Sequence, residues 1–428
     1  MKKIILLILL LNSLTFIWGQ DQELTKDSSL FSKNLTKKPK VKDAWKDYVI
    51  KNSIPLRSIR SDDFSDLNFL RELLKDKKYV FLGESSHVVE EFSVLKYRLI
   101  RFLTKEMDFS AVVFESDIWD CYQLNLQKER ATSKEILEQT IYPAWHTSSV
   151  EELLLFIMEH DIEFAGFDIK PSALRYQYYF EKNLLAQTDT ALANLTFSCS
   201  KKFLSTYYSH AQNSNEKQLD QILFDHQNLY RLLRSTPLPF TDSLTLKVFL
   251  REIENRMHII KELTKMDFNE ILASRDSLMA ETIEWLIKEV YPDKKIIFWG
   301  ANGHISKNNS IDGVSTGALL NQSILDESFV IGLYMFRGET YTDRVIKVHK
   351  PKKNSLEAIM IQPGYKYAFI DFSKANQTES SSWIFQKIPS LYWGKKREMI
   401  IPRKTYDGVI LIDKASLPDH YLLDYKSN

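Results

Sequence analysis

Residues 80–92 read VFLGESSHVVEEF: an apolar run ends at Gly83, Glu84 follows at once, and His87 stands three positions further on. A carboxylate beside an imidazole can fix the histidine in one tautomer and poise it as a general base near neutral pH. The same kind of ending recurs along the chain. AVVFE closes on Glu115, EFAGFD closes on Asp168, and KIIFWGAN runs on through Gly303 to His304. Burial raises a carboxyl pKa and a neighbouring cation lowers it, so acids gathered at one rim can be tuned for proton transfer. Glu90 and Glu91, in the first stretch, suit the positive end of the helix that follows.

Side chains so far apart in sequence meet only if the fold brings strand ends together. Seven short apolar runs have the length and the β-branched and aromatic content of strands: 79–83, 111–115, 163–168, 295–302, 329–336, 367–372 and 408–413. Amphipathic segments lie between them, at 90–106, 148–160 and 275–290. In the second, Ser149 is placed to cap the helix, with Glu151 and Glu152 in its first turn. This alternation predicts an α/β fold with a central, mostly parallel or mixed sheet flanked by helices. The stretch from about 172 to 272 breaks the rhythm with long helical patterns and reads as a helical insertion, a lid over the cleft. No internal repeat is visible. In an open sheet of this kind, ligands bind outside the carboxyl ends of the strands. Glu84, His87, Glu115, Asp168 and His304 are therefore expected on one rim. Glu115 or His304 alone reads equally well as a surface group; the convergence of four strand ends is what points to a functional cleft.

Two other chemistries compete. GVSTG (313–317) matches the G-x-S-x-G pattern of a serine nucleophile, but that pattern requires a strand leading directly into the serine. The preceding SKNNSID is polar and loop-like, so Ser315 is read as a chance match. Glu84, His87 and His304 are also types that ligate zinc, although H-E-x-x-H spacing is absent, and a metal-dependent hydrolase stays open as an alternative.

The bulk numbers narrow the rest. The 428 residues carry a formal net charge of +1, which leaves no excess of cations for nucleic acid. Two cysteines, Cys121 and Cys199, exclude a disulfide scaffold and multi-cysteine metal sites, while one disulfide and two free thiols are both allowed. Lys2 and Lys3 precede an apolar run over residues 4–18, and Gly19 follows, which describes a secretory signal peptide over 1–19. The run is shorter than the roughly 20 residues of a membrane span, so no stable membrane insertion is expected once it is removed, with a retained anchor as the alternative. Residues 20–43 are polar and lysine-rich and read as a tether to a domain over 44–428. The expected destination is periplasmic or secreted.

Beyond these readings, the chain resembles the erythromycin esterase family. GESSHVVEEFSVLKYRLIRFL with the following VVFES carries the most specific likeness, and IYPAWHTSSVEELLLFIMEH with FAGFD continues it. RDSLMAETIEWL is similar to the family's R-D-x-x-M-A helix, FWGANGHIS to its His-Asn-x-His segment, and YDGVILIDKAS to its closing strand, so that the likeness runs from about Ala44 to Ser416. The resemblance implies hydrolysis of a small-molecule carboxylic ester or lactone, in the best-known members a macrolide ring. The implied mechanism activates water directly with a histidine, without a cofactor. Carried over, His87 is the base, Glu84 and Glu115 orient it or the water, and His304 matches the second histidine of its segment. Arg275, Lys96 and Asp168 are expected at the substrate. The sequence departs from the pattern at Ala301, where the family has the first histidine, at Lys96, where it has arginine, and at Val88, often glycine. These departures leave open a catalytically degenerate member that binds a ligand.

Overall fold

A computed structural model of the chain describes residues 27–32, 38–127, 132–172, 177–208, 216–237, 243–263, 268–310, 313–342 and 344–418. The expected signal peptide lies outside the described residues. Among them, eleven strands form: β1 (Ile54–Pro55), β2 (Tyr79–Leu82), β3 (Phe109–Asp117), β4 (Glu163–Asp168), β5 (Lys295–Trp299), β6 (Ser328–Tyr341), β7 (Val345–Lys347), β8 (Tyr367–Asp371), β9 (Ile388–Tyr392), β10 (Lys396–Ile400) and β11 (Gly408–Ala415). Nine of these make one mixed sheet in the order β1-β8-β11-β6-β2-β5-β3-β4, with β7 paired to β6. From β11 to β4 every neighbouring pair is parallel, and β8 and β1 add an antiparallel edge. All seven strands expected from the apolar runs are present. The expectations did not include β1, β7 or the separate β9–β10 hairpin.

Alternation along the central strands explains why both faces are covered. Tyr79 and Phe81 of β2 belong to one hydrophobic cluster, with Val113, Ala165 and Phe298. Val80 and Leu82 belong to the other, with Val112, Phe114, Ile297 and Trp299. A strand buried on both sides reads as a continuous apolar run, because each face needs its own apolar set at a period of two. Helix Glu90–Met107 covers the second face through Phe92, Leu95, Leu99, Phe102 and Leu103. It stops at Asp108, whose φ of 60° is a left-handed cap.

Helix Ser148–Glu159 begins one residue earlier than its expected cap. Thr147, not Ser149, accepts the backbone N–H of Val150, because the Thr147 backbone is still extended while Ser149 is already helical; the Ser149 hydroxyl instead donates to Glu90. The expected helical insertion, about 172–272, holds helices Gln177–Ala186, Thr190–Tyr208, Glu216–Ser235 and Ser243–Leu263, and helix Phe268–Trp285 runs from its end into the amphipathic segment expected at 275–290. Leu185, Leu229, Val248 and Ile253 of this segment join the first sheet face, and a small cluster of its own forms around Phe203, Leu219 and Ile260.

Of the stretch read as a tether, the described residues lie on the body. Leu30 is buried, Phe31 pairs with Tyr365, and Lys38 donates to the Gln362 carbonyl at 2.5 Å. Among the described residues no helix is long and apolar enough to cross a membrane.

Candidate active site

The carboxyl ends of β2, β5, β3 and β4, four adjacent parallel strands, open onto one cavity of about 340 Å³. Glu84 stands two residues beyond the end of β2 and is buried. Its Oε1 accepts the Trp145 indole N–H at 2.6 Å and lies 2.8 Å from His87 Nδ1; its Oε2 accepts Lys96 Nζ at 2.8 Å. Burial pushes the Glu84 carboxyl upward, but Lys96 and His87 outweigh it and hold the group below its ordinary value. An ionised Glu84 can only accept, so in the neutral imidazole Nδ1 is the nitrogen that carries the proton and Nε2 the one that holds the lone pair. Among the described residues Nε2 has no hydrogen-bond partner, and His87 lines the cavity. The ring meets the indoles of Trp145 and Trp393 edge to face, with centroids 4.8 and 4.6 Å away.

Backbone bonds fix the loop that carries this pair. Ser85 N–H donates to Leu333, Asn302 N–H donates to the Glu84 carbonyl at 2.8 Å, and Trp393 N–H donates to the Ser85 carbonyl at 2.8 Å. Glycine is required at position 83 because the Asn302 side chain occupies the space a Cβ would need.

The opposite wall is built around a second histidine. His304, on the short helix Asn302–Ile305 after β5, places Nδ1 2.8 Å from Asp276 Oδ1. That oxygen also accepts the Thr316 N–H at 2.8 Å and its hydroxyl at 2.7 Å. Burial opposes the charged forms of both partners. For Asp276, His304 and Thr316 outweigh it and lower the carboxyl; for His304, Glu115 and Asp276 outweigh it and raise the imidazole above its ordinary value. His304 Nε2 stands 3.2 Å from Arg275 Nη1 and 3.5 Å from Glu115 Oε1. Arg275 also grips Asp168 with two parallel bonds, Nε to Oδ1 at 2.9 Å and Nη2 to Oδ2 at 2.5 Å. This pairing, together with backbone N–H bonds, keeps Asp168 low against the pull of burial. Glu115 sits where the β3–β4 register shifts, and bulges of this kind re-aim side chains beside active sites. Its Oε2 accepts the Ala301 N–H at 2.6 Å, so the backbone at position 301 serves the site whatever the side chain.

The cavity thus has a charged wall, Glu115, Asp168, Arg275, Asp276 and His304, and an aromatic one, Tyr142, Tyr392 and Trp393, with His87 among the rings. Lys170 donates to the Tyr142 hydroxyl at 2.7 Å on the rim. The residues expected on one rim are together: His87, Glu115, Asp168, Arg275 and His304 line the cavity, and Glu84 stands behind His87. Lys96 requires a correction. It was expected at the substrate, yet it is fully buried behind Glu84, donates to the Gly300 carbonyl at 3.1 Å, and lies 4.4 Å above the Trp299 ring. The position is sealed because helix Glu90–Met107 packs its face against the sheet.

Ser315 is buried outside the cavity lining, with its hydroxyl between the carbonyls of Ser306 and Asn308, at 2.8 and 3.0 Å. Cys121 and Cys199 are free and buried. Among the described residues no group of three or more His, Cys, Asp and Glu is arranged to hold a metal, and the Arg275 guanidinium occupies the place between Glu115 and Asp168 that a cation would take. The sequence reading did not name Asp276, Trp145, Tyr142, Lys170, Tyr392 or Trp393. Asp276 had a signal, since it follows Arg275 directly in RDSLMA, and Tyr142 and Trp145 lie in the quoted IYPAWH stretch; Lys170, Tyr392 and Trp393 had none.

A family model described as erythromycin esterase matches residues 104–415. A Bacillus subtilis (strain 168) protein named as a candidate hydrolase, YbfO, is 26% identical over 406 residues, covering 86% of this chain and 90% of that one. Erythromycin esterase type II of Escherichia coli is 22% identical over 432 residues, covering 88% and 99%. Among solved structures, a succinoglycan biosynthesis protein superposes with a TM-score of 0.73 at 18% identity, covering 88% of this chain and 98% of that one. An erythromycin esterase variant, EreC, in its open conformation superposes with a TM-score of 0.63 at 18% identity, covering 83% and 95%. These likenesses show a shared fold.

Proposed function

The chain belongs to the erythromycin esterase family, a family of hydrolases, and from that premise we propose that it cleaves a carboxylic ester or lactone with water activated by His87. One observation carries the reading: His87 Nδ1 is held at 2.8 Å by an ionised, buried Glu84, while Nε2 is unpartnered among the described residues at the cavity wall. A water against Nε2 gives up a proton as its oxygen attacks the carbonyl carbon, and Glu84 stabilises the imidazolium that forms. The oxyanion develops among Arg275, His304 and Lys170, whose positive charge and N–H groups suit it. Collapse of the tetrahedral intermediate breaks the ester C–O bond, and the imidazolium returns its proton to the departing alkoxide. Acid and alcohol result, and the base is regenerated.

The test is a hydrolysis screen of the purified protein across macrolides, simple lactones and aryl esters, read by mass, with His87→Ala alongside. Cleavage by the wild type that the variant loses supports the reading; equal turnover by both overturns it. One observation favours a second reading, a protein that binds its ligand without cleaving it: Ala301 puts a methyl group where the family pattern has an imidazole. No ester hydrolysis by the wild type, with turnover gained on Ala301→His, selects that reading. Arg275 and Asp276, just beyond the insertion over about 172–272, line the cavity, and a lid role for the insertion is part of the proposal. So is export, motivated by the basic and apolar N-terminus; finding the protein only in the cytoplasmic fraction, with residues 1–19 retained, would remove it.

A further inference from the structure

We propose that Trp393 is a positioning residue for the His87 base, held against the imidazole by a hairpin turn that accepts backbone strain to do so. The turn joins β9 to β10: Tyr392 pairs with Lys396, and Lys395 N–H donates back to the Tyr392 carbonyl. Its two central residues, Trp393 and Gly394, have φ of 54° and 64°. Both lie in the left-handed region that the central positions of a type I′ turn demand, where Asn, Asp or Gly normally fills the first, and Lys395 makes the loop between the paired Tyr392 and Lys396 three residues long. Four non-glycine residues among those described have positive φ: Asp108, Asp161, Asn354 and Trp393. Three are the short polar types that tolerate this conformation, and Trp393 is the bulky exception.

Within the hairpin the indole meets only the adjacent Tyr392 ring among the described residues, at 5.8 Å and near right angles. What the indole gains is outside the hairpin. It meets the His87 ring edge to face at 4.6 Å, while the backbone N–H of the same residue donates to the Ser85 carbonyl, two residues before the base, and so holds the turn beside the His87 loop. The turn is anchored from both sides. Buried Glu357 accepts the Leu391 N–H at 2.7 Å, and the Gly394 carbonyl accepts the His349 N–H at 2.8 Å. Together with the Trp145 indole, 4.8 Å away, an aromatic edge seated this way removes rotational freedom from an imidazole whose hydrogen bond to Glu84 is made through Nδ1. Strain kept at a side chain that touches the reacting group, where a cheaper residue would close the turn, marks a functional position.

The kinetic arm of this proposal rests on the esterase reading; the other two arms do not. Trp393→Asn and Trp393→Gly relieve the turn and delete the ring, while Trp393→Phe keeps an aromatic edge. Three quantities are read: the unfolding midpoint, kcat and KM for whichever ester the wild type cleaves best, and the low-field proton resonance of His87 Nδ1–H, assigned by its loss in His87→Gln. Asn and Gly are expected to unfold at or above the wild-type temperature, with kcat down about ten- to a hundredfold, KM within about threefold, and the resonance broadened. Phe is expected to keep the resonance and stay within about threefold in kcat. Retention of kcat and of a sharp resonance in Trp393→Asn overturns the proposal. So does a midpoint that drops by several degrees together with kcat, which would make Trp393 an ordinary packing residue. If the wild type cleaves no ester, the hydrolase reading fails, and the midpoint and resonance still decide whether the ring holds His87.

Discussion

His87 and His304 face each other's walls of one cavity with the same device and opposite consequences. Each binds a buried carboxylate through Nδ1 at 2.8 Å, Glu84 in one case and Asp276 in the other. The difference lies at the second nitrogen. Among the described residues His87 Nε2 is unpartnered between two indoles, while His304 Nε2 lies within 3.2 Å of Arg275 and 3.5 Å of Glu115. An imidazole with an unclaimed lone pair can take a proton from water; one committed to a guanidinium and a carboxylate works as fixed charge. A histidine and a carboxylate in contact therefore do not define a base. What surrounds the far nitrogen does.

The largest test of that contrast is paired removal. His87→Gln is expected to lower kcat/KM for ester hydrolysis about a thousandfold or more, the scale of losing a general base, and His304→Gln about tenfold to a hundredfold, the scale of losing one electrostatic contact. Steady-state kinetics on the best ester from the screen checks both. If the two losses were equal, or in the reverse order, the assignment of roles would break.

The next effect is on stability and concerns the supports. Glu84 and Lys96 are both fully buried, whereas the Asp276 side chain is 11% and that of His304 20% exposed. Glu84→Gln strands an ammonium under the sheet and is expected to cost about 3–5 kcal/mol, with Lys96→Met similar. The double variant should recover much of the loss, because it removes both charges. Asp276→Asn, nearer water and still able to bond Thr316, is expected to cost about 1–2 kcal/mol. Denaturant unfolding of the four variants measures this, and additive losses in the double variant would show that the Glu84–Lys96 pair is not the coupling that holds the His87 side together.

The same contrast marks how far the sequence was legible. The strand ends that carry Glu84, Glu115, Asp168 and His304 were readable, because strands buried on both faces announce themselves as apolar runs and the chemistry follows at their carboxyl ends. The supports were less so. Lys96 was expected at the substrate because it stands where the resembled family has arginine, and only packing shows that it points at Glu84. Of the aromatic wall, Tyr142 lies in the IYPAWH stretch that carries the family likeness, while Tyr392 and Trp393 left no sequence signal. β9 contains Pro389 and β10 is KREMI, with three of its five residues charged, so neither has strand character on its own. Trp393-Gly394 hides a turn that Asn-Gly would have advertised. The residues that break local rules are the ones tertiary contacts hold in place, and here they lie against the base.

The smallest expected effect is a pH dependence of stability that belongs to the His304 side alone. His304 is raised above the ordinary 6.5 of histidine, so its contribution is fully present below that value and is lost as pH rises through the higher folded value. Asp276 is lowered, so its contribution is present above 3.8 and fails only as pH falls through the folded value. Two buried acids elsewhere titrate in an overlapping window. Glu252 and Glu357 are pushed up by burial to about 7, and an acid raised on folding loses stability as pH climbs from its unfolded 4.5 to that value. Their decline and that of His304 have the same sign and overlap, and buried Asp117, pushed well up by burial and by Glu252 and Asp120, adds to it. The unfolding midpoint of the wild type should therefore fall as pH rises above 6.5. Asp276→Asn takes away one of the two acids that raise the imidazole and leaves Asp117, Glu252 and Glu357 in place, so it should make that fall shallower without removing it. A fall above pH 6.5 of the same slope in both proteins would mean that Asp276 does not hold His304 charged, and the two histidines would differ less than their surroundings indicate.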